Sequence, residues 1–298
     1  MQAEVKKTCV VSYPKSGRTW LKALIGYYLE AKKTVATPTA PQDNSLSGVA
    51  DIFDTEKITK EAGLSETSFT HAGSNLSLQV KASDYHFPDE MFREAERLVI
   101  LSREIKDTLV SAYFQSTHKL SLLPKSTKLE DFIADESCGL PKIVSFYKCL
   151  HKSRSLRRES SEILFITYEG LQENTPKELV KILKFIGEEQ PLEAAVEYAC
   201  LQASFAQMRQ LEMNITAASI VETMRSDAPT IVSVAPTVPL IAGAWLQDAA
   251  SGKILVIDDS LKVRKGTVGG YKNYLNESHW EQVNHQILGA GIGRFGNV

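Results

Sequence analysis

The sequence lacks the features that mark zinc proteins, disulfide-rich proteins and membrane proteins. Its four cysteines are Cys9, Cys138, Cys149 and Cys200, and since none lies in a CxxC pair, neither a zinc site nor a disulfide framework is predicted. The most apolar late stretch, residues 229–245, contains three prolines and is too short to span a membrane. The N-terminal residues show no apolar segment of a signal peptide. We therefore expect a soluble, cytoplasmic protein with reduced thiols and no membrane span.

The sequence also lacks an excess of charge of either sign. Lys and Arg number 34 and Asp and Glu number 36, which gives a formal net charge of −2. This balance argues against a nucleic-acid partner, although a local anion site is compatible with it. The chain of 298 residues is 43% hydrophobic and 23% charged, as in ordinary globular proteins. With no repeat or break in composition, we expect a single domain over residues 1–298.

Hydrophobic periodicity predicts strands that alternate with helices. The predicted strands are residues 7–13, 67–71, 97–103 and 162–167, and the predicted helices are residues 19–30, 107–118, 176–186, 191–212 and 278–288. This alternation is typical of parallel βαβ units. We therefore predict an α/β, three-layer fold in which a central, mostly parallel sheet is flanked by helices.

Three segments combine cations with a nearby glycine or helix start, which is a pattern that favours anion binding. The first segment, YPKSGRTW (residues 13–20), joins a predicted strand to a predicted helix, where backbone N–H groups and the helix dipole attract an anion. Its lysine precedes the glycine by two positions, so the Walker A fingerprint is absent. A plain Pro-Gly turn with a solvated Lys15 is the alternative interpretation.

The other two segments repeat this chemistry. In the second segment, SREIKDTLVSAY (residues 102–113), Arg103 ends a strand and Ser111 lies about two turns further on. The third segment, LKVRKGTVGGYK (residues 261–272), places cations beside glycines, which allow backbone amides to approach a phosphate. A surface ion pair and an exposed basic turn are the respective alternatives.

In this order, the three segments resemble the nucleotide-binding signatures of sulfotransferases that use 3'-phosphoadenosine-5'-phosphosulfate (PAPS). The first resembles the YPKSGTTW loop, the second the RxxxDxxVSxY motif and the third the RKGxxGxWK loop of that family. FITYEGL (residues 165–171) and KELVKILKFIG (residues 177–187) also resemble its LTYEDL…ILKFLG run, and the resemblance spans about residues 7–288. It implies a P-loop-NTPase-like sulfotransferase fold and an enzyme that moves a sulfuryl group, without a metal, to a hydroxyl or amine of a small-molecule acceptor.

The resemblance also implies roles for individual residues. Lys15 would contact the bridging oxygen of the donor and, with His71 and Ser111, form the catalytic set. The residues that would bind the donor are Lys15, Ser16, Gly17, Arg18, Thr19, Trp20, Arg103, Ser111, Tyr168, Arg264, Lys265 and Gly266. Trp20 would pack on the adenine, and Arg103, Ser111, Arg264, Lys265 and Gly266 would surround the 3'-phosphate.

The general base is the least direct of these assignments. Among six histidines, His71 in FTHAGS occupies the position where the family carries its base, and His86 in SDYHFP is the competitor. Histidine suits proton abstraction because its ordinary pKa is about 6.5. We therefore predict that His71 is the base.

Some positions depart from the family pattern. Arg18 stands where threonine is common and Tyr271 where tryptophan is usual, and only fragments of the animal dimer motif are present, so the oligomeric state is left open. Residues 213–260 are interpreted as a lid or acceptor-side insertion, or as a segment packed on the sheet. Two other functions stay open: a phosphotransferase of the nucleotide-kinase type, and a nucleotide-binding protein without turnover. The sequence does not identify the acceptor.

Overall fold

A four-stranded parallel sheet forms the centre of the structure, a computed structural model. The strands are β1 (Lys7–Ser12), β2 (Glu66–Thr70), β3 (Arg97–Ser102) and β4 (Glu162–Thr167), in the order β2-β1-β3-β4. The structure describes residues 6–36, 52–88, 95–153, 162–225, 245–247, 254–256 and 266–293.

Helices connect and cover these strands. They are α1 (Arg18–Ala36), α2 (Thr55–Glu61), α3 (Ile105–Phe114), α4 (Leu129–Ala134), α5 (Leu140–Ser153), α6 (Tyr168–Glu173), α7 (Thr175–Phe185), α8 (Glu193–Gln202), α9 (Phe205–Arg225) and α10 (Glu277–Gly289). A π-helical turn (Gln115–Lys119) follows α3 directly. Two short strands, β5 (Trp245–Gln247) and β6 (Ile254–Val256), form a separate antiparallel pair.

Hydrophobic side chains of the central strands alternate between two cores, one on each face of the sheet. Val10 of β1 and Val99 of β3 belong to the core formed with α1, α7 and α8. Val11 of β1 and Ile100 of β3 belong to the core on the other face, formed with α3 and α5. Because these strands are buried on both faces, they are nearly continuous apolar runs. The predicted three-layer α/β architecture is confirmed.

Most predicted elements are present, with shifted bounds. The strand at residues 162–167 is confirmed with the same bounds, whereas α1 extends to Ala36, six residues beyond its predicted end. The predicted helix 107–118 is the α-helix α3 followed by the π-helical turn. The predicted helix 191–212 is two helices, because α8 ends at the buried Ala203 and Ser204 begins the next turn.

Candidate active site

Each of the four parallel strands delivers one side chain to a common cleft at its carboxyl end. Lys15 follows β1, His71 follows β2, Arg103 follows β3 and Tyr168 follows β4, and all four line this cleft. Open α/β sheets bind their ligands at this edge, because the loops that leave parallel strands converge there.

The loop between β1 and α1 turns sharply into the helix. Lys15 has φ +73° and Gly17 has φ +99°, so both adopt the left-handed conformation. The amide of Ser16 donates to the carbonyl of Tyr13 at 3.3 Å, and the amide of Leu21 donates to Gly17 at 3.0 Å to begin α1. The amino end of a 19-residue helix therefore faces the cleft, where its dipole and unpaired N–H groups favour an anion.

Gly17 is required by its conformation and by its contact with Tyr168. A Cβ at this position would lie 2.8 Å from Cδ2 of the Tyr168 ring, which is buried. We expect Gly17→Ala to lower the free energy of unfolding by about 2–4 kcal/mol, from left-handed strain plus overpacking. Urea unfolding measures this loss. Gly63→Ala is the matched control, since Gly63 has φ +72° but a Cβ added there would meet no atom within 4 Å; a loss at Gly63 equal to that at Gly17 would contradict the steric account.

Arg103 contacts three parts of the cleft: the loop after β1, the third segment and the residue after β4. Its Nη1 donates to the Lys15 carbonyl at 3.1 Å and its Nη2 to the Thr267 carbonyl at 3.4 Å. The guanidinium lies 4.2 Å from the centre of the Tyr168 ring, a cation–π contact. These contacts place a fixed positive charge between the ends of β1 and β4.

The described part of the third segment is fastened to α3 by Asp107. This carboxylate, which is 4% exposed, accepts from the amide of Gly269 at 2.7 Å and from the amide of Tyr271 at 2.9 Å. On the other side, Nε2 of Gln172 donates to the Gly266 carbonyl at 3.0 Å. The second and third segments therefore meet at one wall of the cleft.

A backbone contact defines the tautomer of His71. Its Nδ1 lies 2.8 Å from the carbonyl oxygen of Ser12, at the end of the neighbouring strand β1. Because a carbonyl only accepts hydrogen bonds, Nδ1 carries the proton and Nε2 carries the lone pair. In the neutral imidazole, Nε2 is therefore the nitrogen that can accept a hydrogen bond.

Two other candidates for a base differ from His71. His86 is exposed, its Nδ1 lies 3.1 Å from the carbonyl oxygen of Asp84, and it does not line the cleft. Tyr271 lines the cleft, but burial, followed by the charges of Glu104 and Asp107, raises the pKa of its phenol. Its hydroxyl therefore stays protonated at neutral pH and is a poor general base.

Gln115 contacts Lys15 and was not predicted from the sequence. The π-helical turn begins at this residue, and its Oε1 accepts from Nζ of Lys15 at 3.2 Å. Helical periodicity gives no signal for a π turn, since its extra residue interrupts the 3.6-residue repeat. Ser111, one turn earlier on α3, lines the cleft.

Aromatic side chains form one wall of the cleft, the aromatic wall. The rings of Trp20 and Tyr168 pack edge to face with centres 5.5 Å apart. Phe205 and Met208, at the start of α9, complete this wall and were not singled out from the sequence. Gly266 touches it closely, since a Cβ there would lie 2.4 Å from Cδ2 of Phe205.

The structure brings most of the predicted site residues to this single cleft. Those that line it are Lys15, Gly17, Arg18, Thr19, Trp20, His71, Arg103, Ser111, Tyr168 and Gly266. Ser16 is fully buried beneath the loop and does not line the cleft. Arg264 and Lys265 lie outside the described residues, and so does most of the segment 213–260.

Two features are absent from the described part of the chain. There, no group of three or more His, Cys, Asp or Glu side chains is arranged to hold a metal ion. Within the same ranges, no helix is both long enough and apolar enough to cross a membrane.

Comparisons with known proteins agree with this architecture. The family model described as "Sulfotransferase domain" matches residues 6–231. Sulfotransferase 1A1 of Mus musculus is 26% identical over 211 residues, which cover 68% of this chain and 67% of that protein. The chain spans about two thirds or less of the length of the first curated relatives that it matches.

Two solved structures share the fold. Retinol dehydratase in complex with androsterone and the inactive cofactor PAP has a TM-score of 0.55 at 15% identity, covering 97% of this chain and 82% of that one. Mouse sulfotransferase SULT7A1 complexed with PAP has a TM-score of 0.51 at 18% identity, covering 97% and 85%. With the family model matching most of its length, the chain belongs to the sulfotransferase family of enzymes, as its three segments predict.

Proposed function

We propose that the protein transfers the sulfuryl group of PAPS to a hydroxyl or amine of a small-molecule acceptor. The observation that carries this proposal is the convergence of Lys15, His71, Arg103 and Tyr168, each after a different parallel strand, on one cleft. The PAP in the two structural neighbours and the androsterone in one of them support a nucleotide donor and a small acceptor.

The donor needs a cradle for its 5'-phosphosulfate. Lys15, the backbone amides of residues 17–19 and the dipole of α1 would supply one, because these residues lie together in the loop and first turn of the helix. Ser16 would support the shape of the loop, since its side chain is buried and its amide donates to the carbonyl of Tyr13. The hydroxyl of Thr19, which lines the cleft, would add a donor.

The adenosine end would lie toward β4. Trp20 and Tyr168 offer ring faces and edges to an adenine, and Phe205 extends this wall. Arg103 and Ser111 would hold the 3'-phosphate, joined by Gly266. Nε of Arg103 is buried and has no hydrogen-bond partner among the described residues, so the guanidinium keeps donor capacity. By resemblance, Arg264 and Lys265 would add two charges.

His71 and Lys15 would carry out the transfer step. As the acceptor oxygen forms a bond to sulfur, Nε2 of His71 takes the acceptor proton. The bond between sulfur and the bridging oxygen breaks, and its electron pair stays on the phosphate of the departing PAP. Lys15 and the amides at the amino end of α1 stabilise the charge that develops there. The products are a sulfated acceptor, PAP and one proton.

The proposal includes a single domain over residues 1–298, with residues 213–260 covering the acceptor side. Phe205 and Met208 begin α9 at the cleft, and α9 runs to Arg225, into this segment. Because α9 leads from the cleft into residues 213–260, it supports the proposal that this segment covers the acceptor side.

Calorimetry tests the donor assignment. We expect PAP to bind at least tenfold more tightly than adenosine 5'-phosphate, and Arg103→Ala to remove that preference, because charge-assisted bonds to phosphate contribute about 1.5–3 kcal/mol. Arg97→Ala, at the opposite end of β3, is the matched control and should keep the preference. Equal affinity of the unmodified protein for both nucleotides would favour the nucleotide-kinase function. Tight PAP binding without transfer of labelled sulfur from PAPS to any acceptor would indicate a protein without turnover.

A further inference from the structure

Arg18 is a cation in the cleft that has no anionic partner in the described structure. Its side chain lines the cleft and is partly buried, and no hydrogen bond or ion pair joins it to another described residue. Burial lowers the pKa of its guanidinium and is the only cause of that shift. A partly buried charge without a partner is costly, which suggests that a ligand supplies the counter-charge.

The side chain of Arg18 lies on the side of α1 away from the aromatic wall. Trp20 contacts Tyr168, which follows β4. Arg18 is two residues from Trp20 and four from Lys22, so it lies about 200° around the helix from Trp20 and one turn from Lys22. Arg18 and Lys22 therefore share the face of α1 opposite the proposed adenine site.

Contacts of Lys22 identify what that face adjoins. Its Nζ lies 5.2 Å from the centre of the Phe69 ring and donates to the Phe53 carbonyl at 3.2 Å. Phe69 is on β2, two residues before His71. The face that carries Arg18 is thus directed toward the strand that delivers the proposed base, where an acceptor must approach.

The positive potential on this face is only weakly offset. Burial lowers the pKa of Lys22, and the charge of Arg18 lowers it further, whereas Asp54 and Glu56 act in the opposite direction. Neither carboxylate forms an ion pair with Lys22 or Arg18 within 4 Å among the described contacts. Two like charges one turn apart repel each other, and a bound anion would relieve that repulsion.

The donor has enough counter-charges without Arg18. A 3'-phosphate and a 5'-phosphosulfate together carry about four negative charges at neutral pH. By the resemblance, Lys15, Arg103, Arg264 and Lys265 would supply four positive charges, and the amino end of α1 would add about half a charge. Arg18 and Lys22 are in excess of this balance and share the face of α1 that is directed toward β2.

We propose that the Arg18 guanidinium binds an oxyanion of the acceptor, so that the preferred acceptors are hydroxyl compounds that also carry a carboxylate or a sulfate. The positive charge of Lys22, one helical turn further along α1, also attracts the oxyanion. This inference rests on the proposed function, because it describes the acceptor of that same transfer. It assigns the backbone amide of Arg18 to the donor cradle and its side chain to the acceptor.

Matched acceptor pairs test the proposal. Each hydroxyl compound is offered to the full chain with labelled PAPS as the free carboxylate and as its methyl ester, beginning with 4-hydroxyphenylacetate and methyl 4-hydroxyphenylacetate. We expect kcat/KM to favour the carboxylate by about 10–100-fold, the range of a charge-assisted hydrogen bond. Arg18→Thr should abolish this preference, Arg18→Lys should retain part of it, and Arg97→Thr should leave it intact.

A binding measurement separates an acceptor role from a donor role. Calorimetric titration with PAP and with PAPS should show affinities of Arg18→Thr within about threefold of the unmodified protein, since the side chain does not contact the donor in this proposal. A tenfold loss for both nucleotides would assign Arg18 to the 5'-phosphate, and a loss for PAPS alone would assign it to the sulfonate; either overturns the proposal. Equal transfer to esters and carboxylates also overturns it and leaves the proposed function intact. Failure of the unmodified chain to transfer to any compound contradicts the proposed function itself.

Discussion

Replacement of His71 by alanine is expected to lower kcat for sulfuryl transfer by about 10²–10⁴-fold, the usual contribution of a positioned general base. The bond between Nδ1 and the Ser12 carbonyl, at 2.8 Å, leaves the lone pair on Nε2. The variant loses both the lone pair and the ring, so the acceptor hydroxyl would have to lose its proton to water. PAP affinity should stay within several-fold, because His71 has no role in holding the nucleotide. Initial rates with labelled PAPS, together with calorimetry, measure the two quantities.

Two further variants sharpen this test. His71→Asn keeps an N–H group that can donate to the Ser12 carbonyl but provides no base, so we expect a loss of kcat similar to that of His71→Ala. His86→Ala is the matched control, since His86 is exposed and does not line the cleft, and it should keep near-normal kcat. Near-normal turnover by His71→Ala, with loss of turnover in His86→Ala, would assign the base to His86 instead.

Replacement of Lys15 by alanine should lower kcat by about 10²–10³-fold, the range for removing one preorganised electrostatic group at developing charge. Its ammonium donates to Gln115, and Lys15 lines the cleft, where the leaving phosphate oxygen of PAPS would gain charge. Lys15 has φ +73°, and alanine has a similar conformational cost there, so the variant removes the charge and the hydrogen bond to Gln115 without a change in backbone strain. The free energy of unfolding should therefore change by less than about 1 kcal/mol.

The matched control for Lys15 is an exposed lysine. Lys125→Ala removes the same charge from the exposed segment between α3 and α4, and we expect normal kinetics. Lys15→Arg retains the charge but replaces a compact ammonium with a larger, planar guanidinium, so we expect it to recover only part of the kcat that Lys15→Ala loses. A kcat loss of less than threefold in Lys15→Ala, measured at saturating PAPS, would contradict the role of Lys15 at the leaving oxygen.

Much of the fold follows from local patterns in the sequence. The apolar runs of β1 and β3 predict buried parallel strands because such strands are covered on both faces. The strand, turn and helix from β1 through Gly17 into α1 can be predicted because an apolar run of β-forming residues, a Pro-Gly turn and an amphipathic segment follow one another along the chain. Neighbouring residues determine short-range conformational preferences of this kind, so these elements can be predicted from the sequence.

Other features depend on contacts that no local pattern records. The π-helical turn that presents Gln115 to Lys15 interrupts helical periodicity, so its presence and direction were missed. Phe205 and Met208 line the cleft from the start of α9, a helix that begins three residues after α8 ends at Gln202. Each outcome is decided by how distant elements pack.

The sequence by itself determined the α/β class, the order of the strands along the chain, the three cationic segments and the family. The tertiary structure decided which atoms meet: Asp107 binds amides more than 160 residues away, Ser12 sets the His71 tautomer across two strands, and Arg103 contacts the Tyr168 ring and the Thr267 carbonyl. The physical reason is one of range. Propensity and periodicity act within about a turn or two, whereas hydrogen bonding and charge in the cleft arise only when the loops of all four strands converge.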